Sequence, residues 1–409
     1  MRLIRQFIQD WIYTFALLMV VFIPFPFHMI PSLHLADSMF GGLIMYLDGM
    51  SGGIEIVNPG ISSDSASMYL LVFILLVLAC VITFIMSLTE IWNQNRDKIK
   101  PLFRSVFTFY LSLQLMKYGF DKIFGTQFYT PEPNVLYTPL GYLEKDILFW
   151  STIGTSYLYS LVTGIAEAAA AFLILFRKTR TFGLLIACVA LSQILLVNIA
   201  FDISVKLFSL FLLLLAIILI APQARRIYNF LILQDMESLK REAETYKVFN
   251  HPFIRISLKT FVSGLIVLEA LYPAFRNGST HMVQEHELRG AYEILDVRSE
   301  QGSQIIEGKW PFKRFFIHRD GYIIFQDRYD HMVDYKLGTT AQRGKMIFSD
   351  YQRNVLRLDY KWTTPGRFID LKFVNPEDAY IMKAKVLDWK AMPALRNNFH
   401  WTVDGAAGR

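Results

Sequence analysis

Gln114, Lys117 and Asp121 recur at spacings of three and four within an otherwise apolar stretch, so one helix carries all three on one face, with Lys122 just beside them. A second apolar stretch holds Glu167, preceded by Ser156, Ser160 and Gly164 and followed by Ala168, those four being spaced at four-residue intervals. Such a ridge of small residues lets another helix come close, and Glu167 lies beside it. A third stretch ends with Gln193, Asn198 and Asp202, and the next opens with Lys206. Ionisable groups in hydrocarbon are costly, so they turn toward protein or a polar cavity and not toward lipid. Lys117, Asp121, Lys122, Glu167, Asn198, Asp202 and Lys206 therefore make up a candidate ligand-binding cluster. Three chemistries are open to it: charge pairs that only fix helix packing, as Lys117 with Asp121 and Lys206 with Asp202; a pocket for the polar head of an amphipathic molecule; or proton-coupled redox or transport chemistry.

The elements that must position these residues are bilayer helices. The 409-residue chain is 53% hydrophobic and 19% charged, and its apolar residues gather before about residue 275 in runs long enough to cross a hydrocarbon core of about 30 Å. The runs fall at about 10–30, 68–88, 104–126, 148–176, 181–203, 204–221 and 256–275, which predicts about seven crossings. Basic clusters at Arg2 and Arg5, Arg96 to Arg104, Arg177 to Arg180 and Arg225 to Lys259 alternate with loops poorer in Lys and Arg. By the positive-inside rule the N-terminus is cytoplasmic and the C-terminal region extracytoplasmic. Residues 225–249 mix apolar and charged residues at helical spacing, as an interfacial helix does.

After Pro273 the texture changes to alternating β-branched, aromatic and charged residues with turn signals such as Arg319-Asp320-Gly321 and Pro365-Gly366. Strands are expected near 287–297, 303–309, 312–318, 322–328, 332–338, 344–349, 354–362, 367–374 and 379–388, a spacing that favours a closed up-and-down barrel, lipocalin-like, over about residues 285–409. Trp310, Trp362, Trp389 and Trp401 are then core or rim residues, or line an apolar cavity.

Several chemistries are disfavoured. The net charge of +6 sits in short clusters between apolar runs, where it sets orientation and does not suggest nucleic acid. Cys80 and Cys188, the two cysteines, lie inside apolar runs and form no C-x-x-C pair. His318, His331 and His400 lack the spacing of metal ligands. No phosphate-cradling loop, G-x-S-x-G or H-E-x-x-H occurs, which leaves enzyme status open.

The order Gly119-Phe120-Asp121-Lys122 at the end of one span, then Gly164-Ile165-Ala166-Glu167 in the next, then two further apolar helices, resembles the DoxX-like membrane proteins over about residues 104–222. The resemblance matches Gly119, Lys122, Gly164 and Glu167. It implies a four-helix membrane core, here flanked by two helices before it (about 1–103), an amphipathic linker and a further span after it (about 223–275), and the β domain. Some members of that family are linked to thiosulfate and quinone oxidoreductase assemblies. The expectation is a multi-pass protein of a bacterial cytoplasmic membrane, a component or accessory of a redox or lipid-linked process with a quinone or other amphipathic ligand. The alternatives are a scaffold whose outer β domain binds an envelope protein, or a transporter.

Overall fold

The computed structural model describes residues 2–23, 35–51, 61–235, 257, 260–272, 288–299, 310–339, 344–351, 355–374 and 379–396. Its helices are α1 (Arg2–Phe22), α2 (Leu35–Ser51), α3 (Ala66–Ser87), α4 (Glu90–Ile123), α5 (Pro133–Leu136), α6 (Lys145–Gly154), α7 (Tyr157–Leu175), α8 (Arg180–Ala200), α9 (Lys206–Ile220), α10 (Ala224–Leu231) and α11 (Thr260–Tyr272). Eight strands follow: β1 (Gly290–Ser299), β2 (Phe312–His318), β3 (Tyr322–Asp327), β4 (Met332–Thr339), β5 (Lys345–Ser349), β6 (Val355–Thr364), β7 (Phe368–Val374) and β8 (Ala379–Leu387). The chain divides into two compact units, Met1–Gln127 with Leu158–Arg276, and Phe128–Tyr157 with Asn277–Arg409.

The first unit is helical. Ser65 and Thr89 start α3 and α4 by accepting the N–H groups of Met68 and Trp92, donors that the first turn leaves orphaned. Among the described residues, four helices are long and apolar enough to cross a membrane: Ala66–Ser87, Tyr157–Leu175, Arg180–Ala200 and Lys206–Leu231, in which α9 runs on through α10. The expected count of seven is not supported. α1 carries Arg5 and Asp10 in its first half, and α4 is charged from Glu90 to Arg104 before it turns apolar. α11, at about 20 Å, is shorter than a hydrocarbon core of about 30 Å. Asp10 is buried and accepts from Trp92 Nε1 (3.2 Å) and Arg96 Nε (3.0 Å), so the charged half of α4 is bound to α1. The span expected over 148–176 is two helices, α6 and α7, and Ser156 lies in the break between them. Of the interfacial helix expected over 225–249, the first residues fall in α10, which continues the long apolar helix Lys206–Leu231, and the part from 236 on lies outside the described residues.

The second unit is a closed eight-stranded meander in which each strand pairs antiparallel with the next and β8 returns to β1. Alternation decides which side chains enter. Phe315, Ile317, Ile323, Phe325, Leu358, Ile369, Leu371 and Met382 fill the interior, while Phe316 and Ile324 point out. Gly321 and Gly366, at φ 75° and 71°, make the two turns read from the sequence in a left-handed conformation that suits glycine. The strand expected near 303–309 lies outside the described residues, as do His400 and Trp401.

One assignment differs from the sequence expectation. Residues 128–157, expected to be an outer loop over 127–147 and then the start of the span over 148–176, belong to the barrel's unit. Leu136 and Tyr137, at the end of α5, cover an outer-wall patch of Ala291, Phe316, Ile324 and Trp389, which gives that wall an apolar lining on both sides.

Candidate functional site

The helical unit brings two of the predicted ionisable residues into direct contact. Lys122 Nζ donates to Glu167 Oε1, both side chains being buried. The backbones of α4 and α7 touch at this point. A methyl group added at Gly164 would stand 2.6 Å from the Gly119 carbonyl oxygen, and one added at Gly119 would stand 2.8 Å from the Gly164 carbonyl oxygen. Ser160 Oγ closes the crossing by donating to the Lys122 carbonyl at 2.9 Å. Gly119, Lys122, Gly164 and Glu167 are thus one physical unit: the glycines allow the approach and the ion pair spans it. Glu167 Oε2 is buried without a hydrogen-bond partner among the described residues.

A neighbouring face of α4, about a quarter turn from Lys122, carries Gln114, Lys117 and Asp121. Lys117 is 7% exposed and lies within the electrostatic reach of Asp121 and of Glu269 on α11, itself 5% exposed. Glu269, in the last turn of α11, stands alone in an apolar run and escaped the sequence reading, although its charge within that run was the available signal. Gln114 is fully buried, and among the described residues neither atom of its amide has a partner, nor does the Tyr110 hydroxyl one turn earlier. A buried polar group left unpaired costs about 1–3 kcal/mol, so this face is expensive to keep dry.

The remaining members of the expected cluster sort elsewhere. Asn198 Nδ2 donates to Ser209 Oγ at 3.0 Å and joins α8 to α9. Lys206 Nζ lies 2.7 Å from Asp202, as expected, but Asp202 is an exposed turn residue at φ 53°. Asp64 does more there: its carboxylate accepts the backbone N–H groups of Lys206 (2.8 Å) and Leu207 (3.1 Å), capping α9. An N-cap supplied from a distant segment leaves no local sequence signature. The single cluster anticipated among these helices is therefore three arrangements: the α4–α7 crossing, the Gln114 face and the α9 cap.

Within the barrel unit, Glu132 is 1% exposed and accepts from Arg289 (2.8 Å), with Arg319 Nε at 3.4 Å. Gln326 Nε2 donates to the Tyr137 carbonyl at 3.0 Å, and Arg314 lies over the Tyr137 ring. Beside this anchored segment an open groove of about 400 Å³ is lined by Asn134, His318, Tyr322, Met332, Asp334 and Tyr351. Burial lowers the His318 pKa from 6.5, and its Nδ1 accepts the Asp320 N–H, so the neutral ring carries its proton on Nε2. Tyr351 donates its hydroxyl to Asp334. His331 is exposed and bound to Asp327. Trp310 and Trp362 pack against the filled interior and Trp389 against the outer-wall patch, so these three are core residues. Among the described residues no group of three or more His, Cys, Asp and Glu is placed to hold a metal ion.

No protein-family model and no solved structure matches the chain. Over 143 residues it is 26% identical to the uncharacterized protein YwoB of Bacillus subtilis (strain 168), a match that spans 35% of this chain and 91% of that relative.

Proposed function

We propose that the chain is a multi-pass protein of a bacterial cytoplasmic membrane with a DoxX-like core, which holds the polar head of an amphipathic, quinone-like molecule at the α4–α7 crossing and serves a redox or lipid-linked process of the envelope. One observation carries the reading: Glu167 Oε2, buried beside Lys122 with its hydrogen-bonding capacity unused. A carboxylate in that setting invites a donor, and the adjacent ammonium offers a second contact to a carbonyl or hydroxyl oxygen. The basic clusters support an orientation with the barrel outside the cell. Purified protein in lipid nanodiscs, titrated with a short-chain quinone, tests the site. Glu167→Ala and Lys122→Ala should each weaken binding at least about tenfold, or about 1.4 kcal/mol, while the protein still inserts. Unchanged binding in both variants would leave the pair a packing lock and overturn the reading.

The outer-wall groove favours a second reading, a membrane-anchored scaffold in which the barrel binds an envelope protein. It predicts that Tyr351→Ala and Asp334→Ala abolish crosslinks formed in intact membranes, whereas the Glu167 variants leave them in place.

A further inference from the structure

We infer that the α4 face formed by Tyr110, Gln114, Lys117 and Asp121 is a water-lined half-path that runs from the Ile123 end of α4 into the middle of the helical unit. This does not depend on the ligand reading of Lys122 and Glu167, whose contact lies on the neighbouring face of α4.

The spacing of four, three and four residues stacks these side chains one above the next, with neighbours about 5–6 Å apart. A water molecule, which both donates and accepts, bridges a gap of that size. Gln114 makes the need specific: its buried amide offers two donors and an acceptor, and none of them is used. The Tyr110 hydroxyl is unused as well. Further along, Lys117 and Glu269 place opposite charges on facing helices, both nearly out of reach of solvent. At the Ile123 end Asp121 is partly exposed and accepts from Thr126 Oγ1 at 3.0 Å, which gives the path a polar mouth. From Asp121 to Gln114 is about 10 Å along the helix axis. Beyond Tyr110 the path stops against Phe107, and Leu111 packs beside it, both fully buried.

Water is the occupant the packing favours over a larger amphiphile. The ring pairs Tyr110 with Phe211 (6.1 Å) and Tyr118 with Phe208 (6.4 Å) bring α4 against α9 on either side of Gln114, which leaves room only for something small. Four groups of mixed charge and polarity in a row then form a route along which water enters one side of the unit without crossing it.

Hydroxyl-radical footprinting of the unmodified protein in nanodiscs tests the path, because radicals formed in bound water oxidise the side chains that water touches. Tyr110 should be oxidised and Phe107 spared; an unoxidised Tyr110, with the exposed Tyr142 and Tyr157 modified, would overturn the proposal. Gln114→Leu should abolish oxidation of Tyr110, and persistence of that oxidation would show that water does not pass this point. In a Cys80→Ala, Cys188→Ala background a water-borne, membrane-impermeant thiol reagent should modify Gln114→Cys and leave Leu111→Cys untouched. Equal protection of both cysteines counts against the path, and unfolding is recognised by equal reaction of both.

Discussion

The barrel and the helical unit solve the same problem, a buried interior, in opposite ways. Inside the barrel the described side chains are mostly apolar; Tyr292 donates its hydroxyl to the Leu288 carbonyl at 2.6 Å and stacks its ring on Phe315, while the Trp310 ring nitrogen is a buried polar atom with no partner among the described residues. Among the described residues the helical unit buries two amines (Lys117 and Lys122), three carboxylates (Asp10, Glu167 and Glu269) and two amides (Gln114 and Asn198), some of them only half satisfied. Polar groups in a low-dielectric interior strengthen a fold only when every member is paired. The contrast teaches where to look for chemistry: the barrel interior is built for stability and offers its outer wall, whereas the helical unit keeps polar groups that stability alone does not require.

The contrast can be broken at several places. Phe315→Ala empties a fully buried, ring-stacked position and should cost about 3–5 kcal/mol, read as a lowered midpoint in denaturant melts that report the barrel. Glu132→Ala leaves Arg289 and Arg319 facing a buried vacancy. The two arginines are partly solvated, so the loss should be about 1.5–3 kcal/mol and should appear as faster proteolysis within residues 128–157. Gly164→Ala drives a methyl group into the Gly119 carbonyl and should destabilise the helical unit by about 1–3 kcal/mol, seen as a lower melting temperature in nanodiscs. Gln114→Leu should cost less than Gly164→Ala, because its amide has no partner among the described residues and gives up only bound water; a loss as large as that of Gly164→Ala would show that the amide is bonded to protein.

The smallest effect sharpens the barrel's outer wall. His318 has a folded-state pKa below its ordinary 6.5, so the unfolded chain takes up a proton that the folded one refuses. Stability should therefore decline as pH falls through 6.5 and stop declining below the folded-state value. His318→Asn should flatten that stretch of the profile in thermal melts from pH 7 to pH 5; an unaltered slope assigns it to other groups.

The barrel was legible because strand grammar is local. Period-two alternation and turn residues such as Gly321 and Gly366 place all eight strands to within a few residues, although the sequence alone does not tell that the interior is filled by its own side chains. The helical unit was half legible. The pairing of Lys122 with Glu167 follows from glycines at fixed offsets, whereas the separation of Lys117 from Lys122 depends on which neighbouring helix claims each face of α4, and that is settled by tertiary packing. Seven crossings were expected because an apolar run gives the same signal with or without charges at its start, whereas among the described residues four helices are long and apolar enough to cross a membrane. Asp64, Glu132 and Glu269 went unnoticed for a common reason: each acts on a segment far away in the chain, where no spacing rule reaches.

The segment between α4 and α7 sets a timetable for biogenesis. Glu132, Leu136 and Tyr137 leave the ribosome long before Arg289, Phe316 and Trp389, the groups that will cover them. Until the strands arrive, this stretch waits with an unanswered carboxylate and uncovered apolar side chains. A nascent chain halted before β2 would therefore carry an adhesive loop, which makes this interval the one in which a holding chaperone would matter most.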